Sequence, residues 1–139
     1  MITKIIINKL RSDSQIQSLL GASGSSDCPV FATFNFDDTL DKQINVSVEY
    51  GGTIPFDQSA NTSEGLIRVY ILTRDTVSEP IKLIDQIANR VCELLDLKGT
   101  TLDNTHTVYW VQKTDTDFTH YTDIGFYELL ITFRFVITL

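Results

Sequence analysis

Residues 80–96 read PIKLIDQIANRVCELLD, and their spacing decides the first layer of the fold. Ile81, Ile84, Ile87, Ala88, Val91, Leu94 and Leu95 recur every three or four positions, while Lys82, Asp85, Gln86, Asn89, Arg90 and Glu93 fall between them. That is one apolar stripe on an amphipathic helix. Pro80 suits a first turn, where its missing N–H costs no intrahelical bond, and Glu79 stands at the positive end of the helix dipole. Lys98 and Gly99 mark the exit.

Outward from this helix the apolar period changes to two. Ile44, Val46, Val48 and Tyr50 alternate with Asn45, Ser47 and Glu49, which predicts a strand with one face on a core and the other in water. Leu66–Thr73 predicts a second strand, apolar on nearly both faces apart from Arg68. Between them Gly51–Gly65 is longer than a hairpin requires, and its Ile54, Pro55 and Phe56 suit an assembly loop better than a solvated one. A third strand is expected over Thr107–Lys113. A fourth runs from Phe126 to Leu139, with Tyr127, Leu129, Ile131, Phe133, Phe135, Ile137 and Leu139 on one face. At about 3.3 Å per residue it would extend roughly 45 Å, so either it bends sharply or its end lies on another molecule.

Toward the N-terminus, Ile2, Ile5, Ile6 and Leu10 keep helical spacing. Ser12 and Gln15 form a capping-box pattern that starts a second short helix, with Ile16, Leu19 and Leu20 apolar and Gly21 closing it. The following GASGSSD reads as a turn, and Ala32, Phe34 and Phe36 suggest a short strand. The expectation is one α+β domain over 1–139: a mostly antiparallel four-stranded sheet with helices packed on one face and a long inter-strand loop.

Composition narrows the function. A chain of 139 residues, 42% hydrophobic and 21% charged, has the size and balance of one globular domain. The net charge of −7 argues against gripping nucleic acid through its phosphates. No signal-peptide core and no run of spanning length is present, so no membrane role is expected. Cys28 and Cys92 lie in no metal spacing and read as reduced thiols. Lys4, Lys9 and Arg11 carry no acid beside them, whereas Asp27 to Glu64 is strongly acidic, a polarity that suits association with copies or neighbours.

No catalytic, cofactor or metal constellation survives inspection of spacing. Asp115, Asp117, His120 and Asp123 open like a calcium loop, but His120 stands at the glycine position and Phe126 at the closing glutamate, which leaves a solvated acidic loop. His106 and His120 have no second ligand at zinc spacing. The serines of 23–26 lack a nucleophile-elbow frame and a phosphate-loop lysine.

The helix closing on SLLG (18–21), the strands VSVEYGGT (46–53) and GLIRVYILTRD (65–75), the helix EPIKLIDQIANRVCELL (79–95), then VYWVQK (108–113) and GFYELLITFRF (125–135) resemble the tail terminator, or tail completion, proteins of long-tailed bacteriophages. The likeness is one of element order, length and texture, and the segment Gly21–Lys42 has no counterpart in it. The resemblance implies a non-enzymatic virion subunit, without cofactor, assembled in the host cytoplasm. Such subunits typically form a six-membered ring at the head-proximal end of the tail tube, stop tube growth and receive the head connector. Its partners would be copies of itself, the tail tube protein and a connector or neck protein, with DNA passing through unheld. In such a ring Asp37, Asp38, Asp41, Asp115, Asp117 and Asp123 are the candidate lumen acids, repelling the duplex over a Debye length of roughly 8 Å. A head-completion or neck protein, or a small metal- or ligand-binding module on the Asp115–Asp123 stretch, are the alternatives.

Overall fold

The computed structural model describes residues 2–53, 62–101 and 107–138. Two helices open the chain, α1 (Ile2–Arg11) and α2 (Ser14–Leu19). A short strand β1 (Val30–Ala32) and a 3-10 turn (Thr33–Asn35) lead to the long strands β2 (Lys42–Thr53) and β3 (Thr62–Arg74). Helix α3 (Pro80–Leu95) follows, then β4 (Leu97–Thr101), β5 (Thr107–Tyr121) and β6 (Phe126–Thr138).

The sheet has six strands in the order β1-β2-β3-β6-β5-β4, and β1 runs parallel to β2 while the other pairs are antiparallel. This corrects the expected four-stranded antiparallel sheet. The two added strands are the edges, with three and five residues, and the short strand suggested at Ala32, Phe34 and Phe36 is instead β1 at Val30–Ala32 followed by the 3-10 turn. Short edges leave few unpaired backbone groups to recruit another chain. They also carry no periodicity: in β4 only Leu97 is even half-buried, and Gly99 takes φ 61°.

The long inter-strand loop is corrected as well. Gly51, Gly52 and Thr53 continue β2, and Thr62–Gly65 belong to β3, paired across a bulge at Tyr50/Gly52. Ile54, Pro55 and Phe56 lie outside the described residues. At the close approach beyond this bulge Gly65 has no room for a Cβ, which would strike the carbonyl oxygen of Glu49 and lie 2.8 Å from the Phe135 ring. Strand β6 does not stand at an edge. It is central, paired with β3 from Thr62/Thr138 to Arg74/Phe126 and with β5 on its other side. Two bulges in β5, at Val108/Trp110 and Lys113/Asp115, break the register of the long ribbon.

The core lies between one face of this sheet and the helices. Ile44, Val46, Ile67, Val69, Ile71, Ile131, Phe133, Phe135 and Ile137 meet Ile84, Ile87, Val91 and Leu95 of α3 and Ile2, Ile6 and Leu10 of α1. The stripe predicted on α3 is right except at its start, where Ile81 is 49% exposed. Leu83, outside that stripe, is half-buried and packs on the core instead. The expected break near Ser12 is present, but the cap is Asp13: its Oδ2 accepts from the Ile16 N–H at 2.9 Å, while the Ser12 hydroxyl donates back to the Asn8 carbonyl. A carboxylate at this position satisfies an orphan helix donor and meets the positive dipole end.

Asp13 also ties α2 to α3. Arg90 donates Nη2 to Asp13 Oδ1 at 2.6 Å and Nε to Oδ2 at 3.0 Å, a bidentate fork, with the Asp13 side chain 9% exposed. The guanidinium first, and the Ile16 amide after it, hold the Asp13 carboxyl below the usual carboxylate range against the opposing effect of burial. Because the folded value is depressed, this contribution is complete above the unfolded value near 3.8 and fades as pH falls through the folded one. Asp13→Ala should cost at least about 1 to 2 kcal/mol for the lost cap alone, measured by urea unfolding at neutral pH. The gap between variant and parent should narrow below about pH 4; a gap independent of pH would show that Asp13 acts by shape rather than by charge.

Candidate functional site

The face of the sheet away from the helices is lined by alternate residues of every long strand. Leu66, Arg68, Tyr70 and Leu72 of β3 stand beside Arg134, Thr132, Leu130 and Glu128 of β6, and Thr132, Leu130 and Glu128 in turn beside Asp115, Asp117 and Thr119 of β5. Most of these side chains are half-buried or exposed, and no helix covers them.

Among the described residues one end of this face is covered, by residues 33–41. Phe36 meets Phe126 edge to face with ring centroids 5.7 Å apart, and the Arg74 guanidinium lies 4.6 Å from the same ring, leaving Phe126 1% exposed. The crossing segment is clipped by a buried carboxamide. Gln43 donates Nε2 to the Asp37 carbonyl at 2.6 Å and accepts the Asp37 N–H on Oε1 at 3.1 Å. Asn45 donates to the same Oε1 at 3.1 Å. The polar face of β2 therefore does not meet water throughout: Gln43 is fully buried and Asn45 is 2% exposed. This also gives the Gly21–Lys42 stretch a structure. Asp27 closes its turn by accepting from the backbone of Ser23 and Gly24 and from the Ser23 hydroxyl, bonds that pull its carboxyl down to about 2.

The six candidate lumen acids fall into two groups. Asp37, Asp38 and Asp41 sit on the crossing segment. Asp37 accepts from the Thr39 side chain and amide, Asp38 receives Arg74 on its carbonyl, and Asp41 pairs with Arg74 at 2.9 Å, so Asp41 is not an unpaired acid. Asp115 and Asp117 are exposed on the uncovered face of β5, and Asp123 lies in the β5–β6 turn at the covered end. The Asp115–Asp123 stretch is thus strand and turn rather than an acidic loop. Its strand part carries Asp115 and Asp117 on one face while His120 turns to the other and meets Asp75 at 3.1 Å. Among the described residues no group of three His, Cys, Asp or Glu could hold a metal ion, and no helix is long and apolar enough to cross a membrane. Cys28 is a buried free thiol and Cys92 a half-buried one.

Between the crossing segment and the β5–β6 turn the open face holds a pocket of about 310 Å³, with Phe36, Tyr70, Leu72, Tyr121 and Ile124 as apolar wall and Asn45 and Glu128 as polar lining. Tyr121 donates to Glu128 Oε1 at 3.2 Å. Burial pushes the Glu128 carboxyl above the usual carboxylate range, Asp117 adds to it, and the Tyr121 bond partly offsets both. The sequence shows no sign of this pocket, since its walls come from four separate stretches.

The architecture is that of a mixed, curled sheet closed by helices on one face, and it is one already seen in solved structures. A chain in the structure described as the virion of a native gene transfer agent (GTA) particle has the same fold, with a TM-score of 0.74 at 11% identity, covering 99% of this chain and 95% of that chain. No protein-family model and no curated protein matches the sequence.

Gln43→Ala removes both ties to Asp37 and leaves its buried amide and carbonyl to find other partners. It should cost about 1 to 3 kcal/mol and make residues 33–41 cleavable by protease before the rest of the chain. Unchanged cleavage kinetics would show that the Phe36–Phe126 contact and the Arg74 bonds to Asp38 and Asp41 hold the segment without Gln43.

Proposed function

We propose that this chain is a virion structural subunit that assembles in a ring at the head-proximal end of a tail tube, ends tube polymerisation and presents the surface on which the head is joined. The observation that carries the reading is the fold shared, over nearly the whole of both chains, with a component of a gene transfer agent virion. The tail-terminator texture of the sequence points the same way. In this reading the chain is not an enzyme. Its partners are copies of itself, the tail tube protein and a connector, and Ile54, Pro55 and Phe56 form an assembly arm.

The reading makes two measurements decisive. Mass measurement of the purified chain over a concentration series should show a closed oligomer, six subunits being expected, and the chain should cap tail tubes at fixed length when added during their growth. Replacing 54–61 by a tight turn should leave the subunit folded and lower the yield of rings. A chain that stays monomeric and leaves tube length unaltered would exclude the reading.

The acids extend it to the genome's path. A wall rich in lysine or arginine would release counterions from the duplex and hold it, which an acidic wall avoids. Asp115 and Asp117, exposed side by side on β5, together with Asp37, Asp38, Asp41 and Asp123, are the acids assigned to the lumen. Asp115→Lys with Asp117→Lys, and separately Asp37→Lys with Asp38→Lys, should permit assembly but slow genome ejection at low salt, with high salt restoring it. Ejection at the parental rate in every salt concentration would place these acids on the outside.

A further inference from the structure

We propose that the open-face pocket is the seat of a lysine side chain from a second copy of this chain, Lys4 of its first helix. The inference rests on the ring reading and adds to it the residues through which neighbouring subunits recognise each other.

The chemistry of the pocket selects the occupant. Three donors of its wall are used within it: Thr33 donates to the Val46 carbonyl at 3.0 Å, Asn45 Nδ2 to Gln43, and Tyr121 to Glu128, while the Tyr70 hydroxyl has no partner among the described residues. Apart from that hydroxyl, what is left over accepts. Asn45 Oδ1 is buried without any hydrogen-bond partner, and the second carboxyl oxygen of Glu128 receives no donor. A buried acceptor without a donor is costly and is rarely left so in a finished assembly. The remaining wall is aromatic and aliphatic, with Phe36 40%, Tyr121 37% and Ile124 51% exposed. An occupant must therefore combine hydrogen-bond donors, positive charge and an apolar stem. Lysine has three N–H donors on four methylenes, and an ammonium is attracted by aromatic faces.

Charge and exposure point to helix α1 of a second copy. The pocket wall carries the carboxylate of Glu128 and, among the described residues, no cation. Helix α1 carries Lys4, Lys9 and Arg11 and no acid. Arg11 is engaged with the Cys28 carbonyl and Lys9 is half-buried, whereas Lys4 is exposed and has no ion pair among the described residues. Helix α1 packs against β1 and β2 on the covered face, opposite the pocket, so a subunit cannot fill its own pocket with its own Lys4. The two surfaces are different, and a contact between them is head-to-tail, the kind that closes into a ring or continues as a filament.

Sedimentation velocity over a concentration series tests this with Lys4→Glu, Glu128→Gln and the exchange Glu128→Lys with Lys4→Glu, each checked by circular dichroism and melting. Lys4 is exposed and Glu128→Gln keeps shape, so both single variants should fold. Each should weaken self-association by about tenfold or more, and the exchange should recover most of the loss. A parent that oligomerises while Lys4→Glu and Glu128→Gln associate as it does overturns the pocket and leaves the ring reading standing. Weakening by Glu128→Gln without weakening by Lys4→Glu overturns the choice of occupant. If the variants self-associate normally but no longer bind tail tube protein, the occupant belongs to that protein and the proposal fails. A parent that is monomeric at every concentration overturns both.

Discussion

The structure depends on the mismatch between the length of its strands and the amount of helix available to cover them. Strands β3, β5 and β6 have 13, 15 and 13 residues, and a 13-residue strand extends about 43 Å. Helix α3, with 16 residues, is about 24 Å long, and α1, with 10, about 15 Å. Laid on one face, they can close most of it and nothing more. The backbone is satisfied by pairing the long strands with each other, so the second face is left to side chains. There the chain compromises: Leu66, Leu130 and Trp110 stay half-buried beside Arg68, Arg134 and Thr132. Arg68 reaches Glu49 at 2.7 Å and Arg134 reaches Glu64 at 3.3 Å across neighbouring strands. Such exposed pairs add little stability but keep the face soluble while leaving its aliphatic area within reach of a partner.

At one end the same shortage is met by chain rather than by helix. The 33–41 segment carries polar residues over a sheet face and is held by amide hydrogen bonds from Gln43, by Arg74 on Asp38 and Asp41, and by one aromatic contact to Phe126. A cover of this kind is less complete than a packed helix. Asn45 Oδ1 is left without a partner beneath it. The unpartnered acceptor, the raised Glu128 carboxyl and the pocket all occur together where a thin cover ends, and they share one cause: low-dielectric surroundings without enough donors.

What the sequence made legible follows from how strongly each element repeats. Helix α3 and strand β6 carry long unbroken periods, and both occur where periodicity puts them. Ile81 misleads because it is in phase with the stripe yet exposed, while Leu83 of the same turn packs on the core. Strands β1 and β4 carry too few residues to show a period. The second half of β5, from Thr114 to Tyr121, reads as a solvated acidic loop because both of its faces are largely exposed; it is strand because the long β6 needs a partner for its backbone. Asn45 shows the limit most clearly. Alternation puts it on the outward face of β2, which is correct, but a segment eight to twelve positions earlier buries that face. The pocket was illegible for the same reason, since burial by a distant irregular segment leaves no trace in local spacing.

The fold shared at 11% identity is consistent with this division of labour. A core of aliphatic positions alternating along strands tolerates wholesale exchange of its residues provided volume and pattern persist. The surfaces that decide partners are under no such common pattern, and a shared fold therefore leaves function to particular sites. For the proposed ring the requirement is specific: each subunit must present two different surfaces that fit one another, since a self-complementary patch closes a dimer and stops. A molecule with one helix-covered face and one open face is already asymmetric in that sense. Here the asymmetry extends to charge, with α1 basic on the covered side and the crossing segment and β5–β6 turn acidic at the end of the open side. Opposite charges on opposite faces favour head-to-tail encounter and disfavour the face-to-face pairing that would bring like charges together. The surface left open by the shortage of helix is thereby also the surface on which a wrong, symmetric contact is discouraged.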